Sequence, residues 1–504
     1  MTVHYERLSN LDASFLALES RATHMHVGAV AIFAPGEYSN TDGVDIETIR
    51  SIIAGRLSQI PRYRQRLANV PIEGSPVWVD DEHFHLGYHV RHVALPHPGT
   101  PEQLKSLAGL LMSQPLDRNR PLWELNVVEG LEDGGFAIIS KIHHCMIDGM
   151  SGIDLMAVIL DFSPDVVVTE PERWQPRPAP NGTELAVREI SRSISSFVAN
   201  LADLSQMTSE FGELTSSWVH KLKAASASLS SGWLTPTDKT PLNGDIGPAR
   251  LFDWIDLPLD GVKSIKNLHG VTVNDAMLAI VAGAVRSYLM DEGEMTDVDV
   301  ATTEFRIMAP VSVRTKDEKG TLGNKVAMWL MALPVGEPDP AKRIQIVKKE
   351  TKNLKETNQA LGASTLVSVS TGAPATLVSL AARLGSRARP FNMTVTNVPG
   401  PQFPLYMAGS QMTATYPLVP LWQSHGAGIA MFSLNGSVDI GINMALDVIS
   451  DPKALGRHLQ ASFKELLDTE PISSKPKAKP KSRAKPKATK AKKKAKKAPP
   501  MGTR

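Results

Sequence analysis

Hydrophobic and polar positions change period several times along the chain, and each change marks an element. Residues 27–33, VGAVAIF, form an apolar run closed by Pro35 and Gly36, which predicts a strand. Ile46 to Leu57 has apolar residues at helical spacing and stops short of Pro61. YHVRHVALP (88–96) reads as a strand. PEQLKSLAGLLMSQPL (101–116) opens on proline and repeats apolar residues at i, i+3, i+4 and i+7, the pattern of a helix. Residues 121–144, PLWELNVVEGLEDGGFAIISKIHH, predict two strands joined by an acidic, glycine-rich turn, with a helix following at GIDLMAVILDF (152–162).

Beyond Pro164 the pattern breaks. TEPERWQPRPAPNGTE (169–184) is proline-rich, and the chain to about Trp233 is polar, serine-rich and only intermittently amphipathic. TPTDKTPLNGDIGPAR (235–250) is a second break. Alternation then returns with FDWIDLPL, a helix at Asp275 to Met290, FRIMAPVSVR, KVAMWLMAL, FNMTVTNV, GIAMFSLNG and SVDIGINMAL, and a last helix at Pro452 to Leu467. The organisation is α/β, in two halves: 1–164, a linker over 165–248, a second half at 249–468, and a tail at 469–504.

Composition changes this picture at one end only. The net charge of +2 arises from 54 basic and 52 acidic residues. Fourteen of the basic residues, and no acid, lie between Pro471 and Arg504, so the body carries 40 against 52, a formal −12. A tail of Lys, Pro and Ala has little to bury and repels itself, which predicts disorder. Its partners are polyanions, either anionic lipid headgroups or nucleic acid; a solubilising appendage is the other reading. The single cysteine, Cys145, excludes an intramolecular disulfide and fits a reducing compartment. The N-terminus lacks a basic start before an apolar block, so no signal peptide is expected. The longest apolar run, Ala276 to Val285, falls short of the ~20 residues of a membrane span.

Candidate chemistry concentrates in KIHHCMIDGMSG (141–152). Neighbouring residues on a strand face opposite ways, so His143 and His144 cannot do one job. His144 lies at the mouth of the following loop, where chemistry is more accessible. An imidazole titrates near neutrality and is the natural general base. Asp148 and Gly149 carry a turn signal. Three other readings stay open: a zinc or iron site, for which no matching ligand spacing follows; a Cys145 nucleophile; and two histidines that merely pack at a strand end.

HHCMIDG (143–149) is similar to the HHxxxDG signature of the CoA-dependent acyltransferase superfamily, which includes peptide-synthetase condensation domains and chloramphenicol acetyltransferase. From about Tyr5 to Asp468 the chain resembles the bacterial wax ester synthase/diacylglycerol acyltransferase family. LSNLDASFLALE, MHVGAVAIF, PLDRNRPLWE, PLNGDIGPARLF, TVNDAMLAIVAGAVRSYL, MAPVSVR, LGNKVAMWLMALPV and TNVPGP match it in this order. The conjunction is far more specific than HHxxxDG alone, and only the basic tail lies outside the pattern.

The resemblance implies two chloramphenicol-acetyltransferase-like α/β subdomains with mixed sheets, joined by a long, partly helical linker. It implies that His144 is the base, that His143 supports it, that Asp148 is structural and pairs with an arginine of the other half (Arg314 in PVSVR), and that Gly149 allows the turn. Asn274 and Asp275 match an Asn-Asp motif near the acyl-transfer centre, although an asparagine opening a helix is also a common N-cap. Pro121, Leu122 and Trp123 match a PLW motif that either touches substrate or packs. Asn397 and Gly400 line the site or form a Pro-Gly turn. The methionines of NMTV, LYMAGSQM and GIAMFSL either line an acyl channel or fill core.

The activity implied is direct acyl transfer to diacylglycerol, and to long-chain fatty alcohols, with acyl-CoA as a substrate rather than a cofactor and no metal. The place implied is the cytoplasm, with peripheral contact at the inner face of the membrane or at lipid droplets. The rivals are a condensation-type amide or ester synthase with a carrier-bound donor, and a non-catalytic lipid-droplet or nucleic-acid-binding protein working through its tail.

Overall fold

A computed structural model describes residues 4–40, 43–70, 76–146, 158–185, 235–312, 326–356 and 389–471. Asp148, Gly149, Arg314, most of the expected helix at 152–162, much of the linker and the basic tail lie outside the described residues.

The fold is α/β, built on two six-stranded mixed sheets. In the first half lie β1 (His26–Phe33), β2 (Val90–Ala94), β3 (Trp123–Glu129) and β4 (Phe136–His143). The second half supplies β5 (Arg250–Pro258), β6 (Arg306–Ser312), β7 (Val326–Ala332), β8 (Met393–Pro399), β9 (Tyr406–Met407), β10 (Ser410–Leu418), β11 (Ala427–Leu434) and β12 (Ser437–Ala445). The strand order is β9-β10-β1-β4-β3-β2 in one sheet and β5-β12-β11-β8-β6-β7 in the other.

The hairpin β9–β10 therefore leaves its own half and completes the other. β10 runs antiparallel to β1, from Met412 opposite Phe33 to Leu418 opposite Gly28. It also lies against the second sheet. A Cβ on Gly441 of β12 would sit 2.0 Å from the carbonyl oxygen of Pro417, so only glycine admits the crossing strand there. A helix of the first half, α3 (Pro101–Met112) after α1 (Asn10–Leu18) and α2 (Ile46–Arg56), closes the seam from the other side. At Gly109 it approaches the backbone of β5 so closely that a Cβ would lie 2.7 Å from the Arg250 carbonyl. Lys105 of α3 pairs with Asp253 at 2.6 Å. Val30, Leu104, Ile139, Phe252, Trp254 and Tyr416 share one core across the halves.

The second half packs α4 (Leu259–His269), α5 (Val273–Asp291), α6 (Pro340–Glu356) and α7 (Ala454–Asp468) over its sheet. Helix α5 is apolar nearly all round and is buried nearly all round, as such a helix must be. It is long and apolar enough to cross a membrane by length and composition, yet 78% of that stretch is buried inside the fold. The helix expected from Asp275 begins instead at Val273. Its N-cap is Thr272, whose hydroxyl accepts from the Asp275 N–H while the Asp275 carboxylate accepts from the Thr272 N–H. Asn274 is thus not the cap, and its side chain is left for another partner.

Candidate active site

The histidine pair ends the strand next to the centre of the first sheet. β4 lies between β1 and β3, with His143 opposite His26 and Ile142 opposite Trp123. Its alternation divides two cores: Phe136, Ile138 and Ile142 face Phe15 and Trp123, whereas Ala137 and Ile139 face Phe252 and Trp254. Lys141 is buried on the second face, with Nζ donating to the carbonyls of Leu111 and Gln114 and lying 3.2 Å from Glu124 Oε2. The strand stops at His143, and His144 to Met146 form a single 3-10 turn.

The two histidines separate as strand geometry requires. His143 is 1% exposed. Its main-chain N–H donates to the Leu122 carbonyl at 2.9 Å, and its ring Nδ1 accepts from the Cys145 N–H at 3.1 Å. His144 remains partly exposed. Its N–H donates to the Met25 carbonyl at 2.7 Å, and its ring stacks on Phe15 of α1 with centroids 3.9 Å apart. Nδ1 of His144 is buried with no hydrogen-bond partner among the described residues. Burial pushes the His144 imidazole down to about 4, against the opposing pull of a main-chain hydrogen bond within the residue. At neutral pH the ring is therefore uncharged and holds a lone pair.

Cys145 is 2% exposed, and burial raises its thiol well above the ordinary range. A thiol so held is inert, which removes the Cys145 nucleophile. Among the described residues no group of three His, Cys, Asp or Glu is placed to hold a metal ion.

Sequence reasoning missed what stands behind the pair. Glu19, the C-cap of α1, accepts from Arg118 Nε at 3.0 Å and also from its Nη2. Its two oxygens lie 3.6 Å from His26 Nε2 and 3.7 Å from His143 Nε2. Burial raises its pKa, but His143 and then Arg118 outweigh this and hold the carboxyl at about 2. LSNLDASFLALE contains both Phe15 and Glu19, and in the sequence it carries only the family resemblance. Nothing local in it indicates contact with a strand more than a hundred residues away.

The PLW residues brace the strand. Pro121, Leu122 and Trp123 are all buried. Trp123 donates from Nε1 to the Tyr63 carbonyl at 2.8 Å and stacks on His89 at 4.7 Å. In the second half, Asn397 Nδ2 donates to Asn274 Oδ1 at 3.2 Å, so two of the expected site residues do meet. Asp275 is committed to the cap and to the Thr351 hydroxyl at 2.7 Å. Gly400 is a close approach: a Cβ there would lie 2.3 Å from the Phe432 ring. No hydrogen bond or ring contact among the described residues joins this cluster to the histidines. Met393, Met407, Met412 and Met431 are buried in the cores, where they serve packing.

Residues 8–277 match the family model for the wax ester synthase/diacylglycerol acyltransferase catalytic domain, and residues 322–467 that for its C-terminal domain. A putative diacylglycerol O-acyltransferase of Mycobacterium bovis is 33% identical over 466 residues, covering 90% of this chain and 97% of its own length. A probable diacylglycerol O-acyltransferase of Mycobacterium tuberculosis shows the same identity over the same shares. Among solved structures, the wax ester synthase/diacylglycerol acyltransferase of Marinobacter aquaeolei VT8 matches with a TM-score of 0.64 at 24% identity, over 91% of this chain and 98% of its own. The starter condensation domain of a rhizomide synthetase, a variant bound to C8-CoA, matches at 0.58 and 13% identity over 93% and 97%. These two likenesses show a shared fold. The histidine turn, the two mixed sheets with their crossing hairpin, and the matches over both halves make the chain a member of the wax ester synthase/diacylglycerol acyltransferase family.

Proposed function

We propose that this O-acyltransferase moves a long-chain acyl group from acyl-CoA to the free hydroxyl of diacylglycerol, and to long-chain fatty alcohols, in one direct step with His144 as general base. The observation that carries this is the state of one ring. His144 is partly exposed at the end of a buried strand, neutral at working pH, and sealed at Nδ1. With Nδ1 buried, Nε2 is the ring nitrogen left to meet the acceptor hydroxyl.

The acceptor oxygen attacks the thioester carbonyl as His144 takes its proton. The C–S bond then breaks and the CoA thiolate recovers that proton. Burial that lowers the ring's affinity for a proton favours its return to the departing thiolate. General base catalysis of this kind contributes ~10²–10⁴-fold. His144→Ala, assayed with palmitoyl-CoA and either diolein or hexadecanol, should lose about that factor in CoA release while its far-UV spectrum is unchanged. Near-normal turnover in the folded variant would remove His144 from this role.

A lipid acceptor places the enzyme at a surface, reached from the cytoplasm at the membrane's inner face or at droplets. The basic segment after Pro471 adds attraction to anionic headgroups, ~1 kcal/mol for each close Lys or Arg. Deleting residues 471–504 should weaken liposome binding at low salt and flatten its salt dependence. Identical binding curves for the two proteins would deny the tail this part.

A further inference from the structure

The turn that carries His144 is held from behind by a neighbouring ring. His143 Nδ1 accepts the Cys145 N–H at 3.1 Å, which folds the chain back immediately after the strand. A neutral imidazole has one accepting nitrogen and one donating nitrogen. With Nδ1 occupied as acceptor, the ring proton of His143 must sit on Nε2, which has no hydrogen-bond partner among the described residues and faces Glu19 Oε2 at 3.7 Å, close enough for charge attraction. The opposite tautomer would set two N–H groups against each other at Cys145 and a lone pair against a carboxylate.

We infer that Glu19 is a positioning residue: its carboxylate keeps the His143 proton on Nε2, and so leaves Nδ1 to accept the N–H that shapes the turn bearing His144. This rests on the reading of His144 as the base. Three further observations support it. Glu19 is only 10% exposed in its side chain and is ionised through Arg118, whose guanidinium reaches in from the segment before β3. His26, the other imidazole beside it, faces the other carboxylate oxygen, Oε1, at 3.6 Å, and burial holds its ring neutral, so Oε2 is left to His143. Glu19 also caps α1, the helix whose Phe15 stacks on the His144 ring. Its main-chain N–H makes that cap by donating to the Phe15 carbonyl, so the carboxylate stands beside His143 at the end of the helix beneath the base.

The test compares Glu19→Gln, Glu19→Asp and Glu19→Ala with the wild type and His144→Ala in the full-length chain. Glutamine keeps an acceptor for Arg118 but loses the charge that selects the tautomer. The expected result for Glu19→Gln is a kcat about 10- to 100-fold lower with KM for acyl-CoA within about threefold. Glu19→Asp should recover a large part of the loss. In 15N-histidine spectra, the His143 signals, assigned by difference from His143→Asn, should move from the Nε2–H pattern toward a mixture of tautomers. A folded Glu19→Gln with kcat within about twofold of wild type overturns the inference. So does an unchanged His143 tautomer, or an aspartate variant no better than alanine, since either describes a structural anchor alone. If His144→Ala stays active while the tautomer still shifts in Glu19→Gln, the base assignment has failed and the tether has not.

Discussion

Asn397 and Asn274 hold each other at 3.2 Å, one on a strand and one in the first turn of α5, with 122 residues of chain between them. Because Thr272 has taken the capping role, this bond is what Asn274 does in the fold. Either Asn→Ala change strands the other amide and should cost ~1 kcal/mol in urea unfolding. The double variant should cost less than the sum of the singles by ~0.5 kcal/mol or more. Strict additivity would mean that the bond contributes nothing. Single residues were legible in the sequence where one side chain has one local meaning. The position of His144, just past the strand end at the start of a turn, follows from strand parity and the loop behind it, whereas the burial of His143 does not, because both faces of β4 are covered. Glu19, Phe15 and Arg118 were not legible. A carboxylate after LAL looks like any helix end until the fold brings β4 beside it, and the Asp148–Arg314 pairing lies outside the described residues.

Elements were legible where burial writes itself into the pattern. The runs at 136–143, 250–258, 326–332, 427–434 and 437–445 are apolar on both faces or alternate cleanly, and each is a strand. Helix α5 was recognisable from length and apolarity, although its start lay two residues earlier because threonine rather than asparagine caps it. Several elements escaped, α1, α4 and β9 among them, and two others show why. Helix α6 is so rich in Lys and Glu that its few buried positions, Ile344, Val347, Thr351 and Leu354 among them, form a narrow stripe. Strand β10, SQMTATYPL, mixes polar residues with Pro417, which discourages a strand reading. Its hydrogen-bonding partner β1 and its packing partner β12 lie on different sheets, and no local pattern encodes that.

At the scale of the whole molecule, acid should unfold this protein through its histidines. Burial holds His89, His144 and His425 at about 4, against an ordinary value near 6.5 in an unfolded chain. Between those values the unfolded chain binds protons that the folded one refuses, so stability falls as pH falls from 6.5 toward 4. Asp439, raised to about 6 by burial, acts in the opposite sense, because acid relieves its buried charge. Glu19 and Asp80, held at about 2, lose their contributions only at lower pH. Three groups against one predicts that Tm drops by roughly 5 °C or more between pH 6.5 and 4.5. A flat or rising Tm over that interval would show that these rings are not neutral in the fold.

The hairpin at 406–418 also determines when the molecule can finish folding. As the chain leaves the ribosome, β1, β3 and β4 emerge early, but the edge of β1 that β10 will occupy stays bare until most of the polypeptide has been made. Such an edge is a template for any passing strand. The first half is therefore an incomplete product in the meantime, dependent on its own distant C-terminal region to seal it, and a truncated transcript would yield a sticky fragment rather than a smaller enzyme.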